Sequence, residues 1–214
     1  MTDLLSALAT ESRLALADGA VVLRGYASAI ADSLVAEVTR LAQRAPFRHM
    51  STPGGQRMSV AMTNCGALGW VSDRRGYRYV AEDPASGARW PPLPAVFAML
   101  ARDAAAAGGF AGFAPDACLV NRYVPGTKLT LHQDRDERDF AQPIVSVSLG
   151  LPAVFLFGGA RRRDPTVKVP LAHGDVVVWG GAARRYHHGV LPVIDGSHPA
   201  TGACRLNLTF RRAG

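Results

Sequence analysis

Beyond residue 117, apolar side chains fall at alternate positions in short runs broken by proline and glycine. The runs are 118–123, 128–132, 143–149, 154–157, 167–171, 175–179 and 205–211. Period two is the period of a strand, and many short strands joined by such turns specify a β-sandwich or barrel. Helical period appears earlier. Residues 28–45 carry apolar side chains at 30, 34, 35, 38 and 41, with Ser28 as N-cap and Pro46 as stop. Residues 94–107 start at Pro94, put Val96, Phe97 and Leu100 on one face, and end at Gly108-Gly109. The fold class expected is α+β, mainly β, and 214 residues suit one globular unit.

The closing run is the most informative. Arg205, Asn207, Thr209 and Arg211 share one face, and Leu206, Leu208 and Phe210 the other. A polar face towards water would be ordinary. Turned inward, two guanidiniums need an anionic partner, and a small dicarboxylate offers each fork a carboxylate. Upstream, His132-Gln133-Asp134 puts an imidazole and a carboxylate on one side of an extended segment, and a histidine pair, His187-His188, follows the apolar run at 175–179. Two histidines and a carboxylate form the ligand set of non-haem Fe(II) oxygenases. His-x-Asp alone is equally a hydrogen-bonded loop pair; the sequence of His-x-Asp, distant His and Arg/Asn/Thr/Arg strand is much more specific. Spacing alone does not separate His187 from His188.

Residues 46–92 differ in character. Arg48, Arg57, Arg74, Arg75, Arg78 and Arg89 outnumber Asp73, Glu82 and Asp83, and Trp70, Tyr77, Tyr79 and Trp90 lie among them. Cations on phosphates and rings on bases would suit nucleic acid, and a net charge of +7 favours anionic partners generally. Composition fits a surface meander over the core equally well. Three scattered cysteines without Cys-x-x-Cys read as reduced thiols, and neither a signal peptide nor a membrane-spanning run is evident, so the cytoplasm is expected.

With these residues in view, the chain resembles the AlkB family of Fe(II)- and 2-oxoglutarate-dependent dioxygenases. The resemblance covers roughly residues 20–212 and rests also on Thr52-Pro53-Gly54-Gly55, Leu68-Gly69-Trp70, Asn121-Arg122-Tyr123 and His173-Gly174-Asp175. It implies a double-stranded β-helix (jelly-roll) core at 93–214, a nucleotide-recognition lid at 46–92 and an N-terminal helical extension at 1–45. By resemblance His132, Asp134 and His188 ligate iron, His188 being chosen for its His-Gly step, while His187 replaces the family's usual aromatic. Arg205, with Asn121 and Tyr123, would take the far carboxylate of 2-oxoglutarate, and Arg211 and Asn207 the carboxylate nearer the metal.

The implied cofactors are Fe(II), 2-oxoglutarate and O2, and the implied reaction is oxidative dealkylation of bases such as 1-methyladenine and 3-methylcytosine. Such bases are cationic, and the family matches place Trp70 and Asp136 against them. Thr52, Tyr77, Arg78 and Arg162 are candidates for the backbone of alkylated DNA, single-stranded or with the base flipped out. RNA is a second possible substrate, no membrane is involved, and a monomer is the default. Without the family, Asp134 to Asp139 reads as a solvated mixed-charge loop and Arg161-Arg162-Arg163 as a solubilising turn. Two other readings compete: an oxygenase with the same cofactors and a non-nucleic-acid substrate, and a catalytically silent nucleic-acid binder.

Overall fold

A computed structural model describes residues 12–214, in which three layers stack: helices, a large sheet and a small sheet. The helices are α1 (Ala31–Arg44) and α2 (Ala95–Ala107). From edge to edge the large sheet runs β1 (Arg13–Ala17), β2 (Ala20–Leu23), β12 (Val176–Trp179), β9 (Ile144–Gly150), β14 (Arg205–Arg211), β7 (Ala117–Tyr123), β4 (Arg57–Gly66) and β3 (Arg48–Ser51). The small sheet runs β11 (Val167–Leu171), β10 (Ala153–Phe157), β13 (His188–Val190) and β8 (Leu129–His132). A separate hairpin pairs β5 (Gly69–Asp73) with β6 (Gly76–Val80). The pairings within all three sheets are antiparallel.

Alternation assigns each layer its contents. Helix α1 buries Ala31, Leu34, Val38 and Leu41, one stripe at three- and four-residue spacing, and α2 buries Phe97, Leu100, Ala101, Ala104 and Ala105. Both stripes join Leu206, Leu208 and Phe210 of β14 and Val145, Val147 and Leu149 of β9 in one core. Phe97 meets Phe210 edge to face at 5.8 Å. At about 1.5–3 kcal/mol for each fully buried large apolar side chain, this core fixes which face of β14 looks outward. Its other face must then look at the small sheet, where Phe155, Phe157, Val169 and Leu171 join Val22, Val60, Val177 and Trp179 in a second core.

Two expectations are corrected. The helical reading of 1–45 fails over residues 13–23, which form β1 and β2; residues 1–11 lie outside the described residues. The four residues of β2 are buried on both faces, between β1 and β12, and Gly19 supplies the positive φ of +75° that turns the hairpin. Ser28 is not the N-cap of α1: a short 3-10 turn at Ser28–Ile30 precedes the helix, whose N-cap is Ile30 with no side-chain hydrogen bond. Within the stretch 46–92, part is built into the large sheet and part lies clear of it. Its strands β3 and β4 belong to the large sheet, β4 paired along β7, and only the β5–β6 hairpin and its following loop stand outside it.

Candidate active site

The inward face of β14 is fully enclosed. Arg205, Asn207, Thr209 and Arg211 are each 1–6% exposed, and their neighbours on this face are Tyr123 and Asn121 of β7 and Ser146 and Ser148 of β9. All of these but Ser148 form one wall of a cavity of about 760 Å³. The opposite wall carries His132 at the end of β8 and His188 at the start of β13, paired across the two strands.

His132, Asp134 and His188 have potential ligand atoms all within 4.8 Å of one another. Asp134 Oδ1 lies 3.7 Å from His132 Nε2 and 3.8 Å from His188 Nε2. Each Nδ1 sits beside a backbone carbonyl, that of Thr130 at 2.9 Å for His132 and that of Tyr186 at 3.1 Å for His188. A carbonyl can only accept, so each Nδ1 carries the proton and each Nε2 offers a lone pair. Asp134 divides its oxygens similarly: Arg211 donates from Nε (2.9 Å) and Nη2 (2.6 Å) to Oδ2, leaving Oδ1 for a metal. The trio thus has the donor set that a divalent iron requires, with Asp134 ionised and His188 neutral.

Electrostatics reinforce that state. Burial raises the Asp134 pKa, but Arg211, His188 and His132 outweigh it and hold the carboxyl well below its usual range. Burial, followed by the neighbouring His132, lowers His188 from 6.5 to about 3. An unfolded His188 takes a proton near pH 6.5 and the folded one only near 3. In that window the unfolded state binds more protons, so the stability present in full above pH 6.5 falls as pH drops towards 3. His173, lowered by burial and by His198, works in the same direction. Urea unfolding of metal-free protein should show stability declining from pH 6.5 to 4 at up to about 1.4 kcal/mol per pH unit for each such histidine. A flat profile would mean that His188 is solvated.

The residues expected to hold the cosubstrate fall into two groups. Arg205 is 1% exposed, donates from Nη2 to Ser148 Oγ at 2.9 Å, and lies over the Tyr123 ring at 4.9 Å. Among the described residues its Nε and Nη1 have no partner in hydrogen-bond geometry, nor has the Asn121 carbonyl oxygen. A buried guanidinium with two idle donors is the attribute of a carboxylate site. Arg211 and Asn207 are more committed than expected. Arg211 grips Asp134 and lies 3.3 Å from Glu137 Oε1, and the Asn207 amide donates to Ser146 Oγ and the Val147 carbonyl. A ligand carboxylate would find Arg211 already bidentate on the metal-side aspartate.

The outer part of the cavity is lined by Thr52, Trp70, Tyr77, Asp136 and Arg162. Trp70 Nε1 donates to Asp136 Oδ2 at 2.7 Å, and the indole stacks on Tyr77 at 5.7 Å and 13°. Arg162 Nη1 donates to the Leu131 carbonyl at 2.6 Å, and Thr52 Oγ1 accepts from Gln56 N at 3.1 Å. Arg78 is the exception. Alternation along β6 sends Tyr77 and Tyr79 to one face and Arg78 to the other, where its fork is closed on Asp73 by two 2.8 Å bonds. It does not reach the cavity. His187 does line the cavity, but its ring lies against the Gly159 carbonyl (Nδ1 at 3.2 Å), away from the ligand trio.

Sequence reasoning missed Glu137, Arg184 and Tyr79. Glu137 is 5% exposed, accepts from Tyr79 Oη at 2.7 Å and pairs with Arg184 at 3.1 Å. The signal was hidden because Glu137 sits in a charge-rich run that reads as solvated. Gly189 has a second role beside His188. A Cβ there would lie 2.7 Å from the Leu129 carbonyl oxygen, so only glycine lets β13 approach β8 this closely. Gly189→Ala should therefore displace His188 and weaken divalent-metal binding by about tenfold or more, since misplaced metal-site geometry has that scale of effect. Unchanged metal affinity would show that β8 yields instead.

Comparison with known proteins gives a concordant set of likenesses. Residues 19–211 match the family model described as the 2OG-Fe(II) oxygenase superfamily. The chain is 59% identical to the alpha-ketoglutarate-dependent dioxygenase AlkB of Salmonella typhimurium over 92% of each chain. It is 56% identical to the AlkB of Escherichia coli, covering 93% of this chain and 92% of that one. The solved structure of OsALKBH1 superposes with a TM-score of 0.84 at 30% identity, covering 94% of this chain and 99% of that one.

Proposed function

The chain belongs to the AlkB dioxygenases of the 2OG-Fe(II) oxygenase superfamily, and from that premise we propose that it repairs nucleic acid by oxidative dealkylation of N-alkylated bases. The observation that carries the substrate class is the cavity's composition. Within one space the metal-ligand trio and the idle Arg205 donors are joined by Trp70, stacked on Tyr77 and bonded to Asp136. A ring and a carboxylate next to an oxidising centre suit a flat, cationic, methylated base.

In this reading His132, Asp134 and His188 hold Fe(II), and Arg205, with Tyr123 beneath it and Asn121 beside it, holds the far carboxylate of 2-oxoglutarate. Held there, Fe(II) with 2-oxoglutarate and O2 would supply the oxidation of the alkyl carbon, with succinate and CO2 as co-products. The resulting hemiaminal collapses to formaldehyde and the unmodified base. The chain's own contribution is positional: Arg211 keeps Asp134 ionised and aims Oδ1, and the histidine carbonyl partners fix both tautomers. Trp70 and Asp136 receive the base, and Thr52, Tyr77 and Arg162 receive the backbone.

We assign the recognition lid within residues 46–92 to the β5–β6 hairpin and its following loop, and the oxygenase core to residues 93–214 together with the large-sheet strands β1 to β4. The base enters flipped out or from a single strand, because an alkyl group inside a duplex cannot reach the enclosed trio. DNA is the substrate assigned, with RNA carrying the same bases as a second one. Three free cysteines suit a reducing cytoplasm, no helix of the described residues is long and apolar enough to cross a membrane, and we assign a monomer.

The deciding experiment incubates a methylated single-stranded oligonucleotide with enzyme, Fe(II), 2-oxoglutarate and ascorbate, followed by mass spectrometry. Loss of one methyl per succinate formed is expected. Succinate release indifferent to the oligonucleotide would point to another substrate, and binding without turnover to a silent binder; either result would overturn the reading.

A further inference from the structure

We propose that Arg184 is a positioning residue for the metal site, acting through Glu137 and the backbone of Asp134. The inference rests on the iron-binding role assigned above. The segment carrying Asp134 and Asp136 runs from β8 to β9 without regular structure, and its backbone is tied to the rest by Arg138 N donating to the Ala213 carbonyl at 3.3 Å. A single guanidinium adds several further ties. Arg184 follows a short 3-10 turn at Gly181–Ala183, is 3% exposed, and touches that segment at four places. Its Nε donates to the Gln142 carbonyl at 2.9 Å, Nη1 to the Asp134 carbonyl at 3.3 Å and Nη2 to Glu137 Oε2 at 3.1 Å, while its plane lies 5.4 Å from the Phe140 ring centre.

Glu137 passes the constraint on. Its carboxylate takes Arg184 on one oxygen, and Tyr79 and Arg211 on the other. Arg211 in turn holds Asp134 Oδ2. Two guanidiniums and two carboxylates therefore alternate behind the ligand trio, buried and with no net charge. Arg184 anchors the far end of this series, and Asp134 Oδ1, the atom aimed between the two imidazoles, is its near end.

Position and net charge can be told apart. Glu137→Gln keeps size and a partner for Tyr79 but leaves one positive charge in excess behind a dication. Arg184→Met leaves one negative charge in excess, which by charge alone would tighten a dication. If Arg184 acts by position, both variants weaken metal binding. Arg184→Lys does not rescue, because one ammonium cannot span three acceptors fixed in a planar fork.

The test titrates Co(II) into metal-free wild type and the three variants, reading the visible ligand-field absorption, alongside thermal unfolding of each metal-free form. The expected result is Co(II) affinity lower by about 10–100-fold in both Arg184→Met and Glu137→Gln, the range typical of partners behind metal ligands. Tighter binding in Arg184→Met, or affinity within twofold of wild type in both variants, overturns the proposal whatever happens to the melting temperature. Should Arg184→Met not fold, Arg184→Lys decides, because it keeps the charge and changes only the geometry: affinity within twofold of wild type in that variant overturns the proposal. If wild type itself fails to bind Co(II), the metal-site reading fails with it, an outcome distinct from wild-type binding that the variants leave unchanged.

Discussion

His132→Ala abolishes turnover while leaving the fold in place. The choice of ligand matters to the clarity of this result. His132 is the most exposed member of the trio, with a side chain 35% accessible, and its one further bond is to the Thr130 carbonyl two residues away. Truncating it orphans no buried group. Removing the Asp134 carboxylate would instead leave the buried Arg211 with only Glu137, a change expected to destabilise by about 3–5 kcal/mol and to confuse lost chemistry with lost folding. Direct loss of a ligand should weaken divalent-metal binding beyond the about 10–100-fold typical of outer partners. Succinate formation and Co(II) titration check both parts. Turnover within tenfold of wild type would refute the assignment of His132 as a ligand.

Arg205→Met should separate binding from stability in opposite directions. Arg205 is fully enclosed, and burial lowers its pKa, yet two of its nitrogens have no partner in hydrogen-bond geometry among the described residues. In the cosubstrate-free protein this arrangement is unfavourable, because a buried charge needs full pairing. A methionine of similar length removes the charge and keeps the packing over Tyr123. Metal-free, cosubstrate-free Arg205→Met should thus be more stable than wild type, by on the order of 1–4 kcal/mol, the scale reported for replacing buried ionic groups with apolar ones. The same change should raise the 2-oxoglutarate requirement about 30-fold or more, since losing one partner of a buried charge pair typically costs about 2–5 kcal/mol. Urea unfolding and succinate release against 2-oxoglutarate concentration supply the two readouts. Lower stability with an unchanged requirement would make Arg205 a structural residue.

Legibility in the sequence followed the strength of local signals. Strand β14 and its two faces were readable residue by residue because seven positions alternate without exception between polar and apolar. Helix α2 was readable from its proline start and glycine stop. Strands β1 and β2 were not: five and four residues are too short to show a period, and β2 is apolar at every position because both its faces are covered. The pairing of β4 with β7 is a long-range fact that no local pattern encodes, and the β5–β6 hairpin turns at Arg74-Arg75 without the Asn-Gly or Asp-Gly that would announce it. The same division holds at the site. His132 and Asp134 sit close in sequence and were visible together, whereas the Tyr79–Glu137–Arg184 network joins residues up to 105 positions apart, and its members look solvated until folded. Arg78 shows the opposite error, for composition counts a basic residue without revealing which face of the hairpin it occupies.

The place of β14 in the large sheet has a consequence for biosynthesis. It follows every other strand in the described chain, yet it lies between β9 and β7 and alone joins the β1-β2-β12-β9 half to the β7-β4-β3 half. Until it leaves the ribosome, two sheet fragments expose unpaired edges, and the apolar faces meant for α1 and α2 lack their central strip. The three candidate ligands are already synthesised by then, but Arg211, which bonds Asp134, is not. The protein therefore completes its core and its cofactor site in a single late step, through contacts distant in sequence, the class that forms slowly and leaves a nascent chain dependent on protection from aggregation.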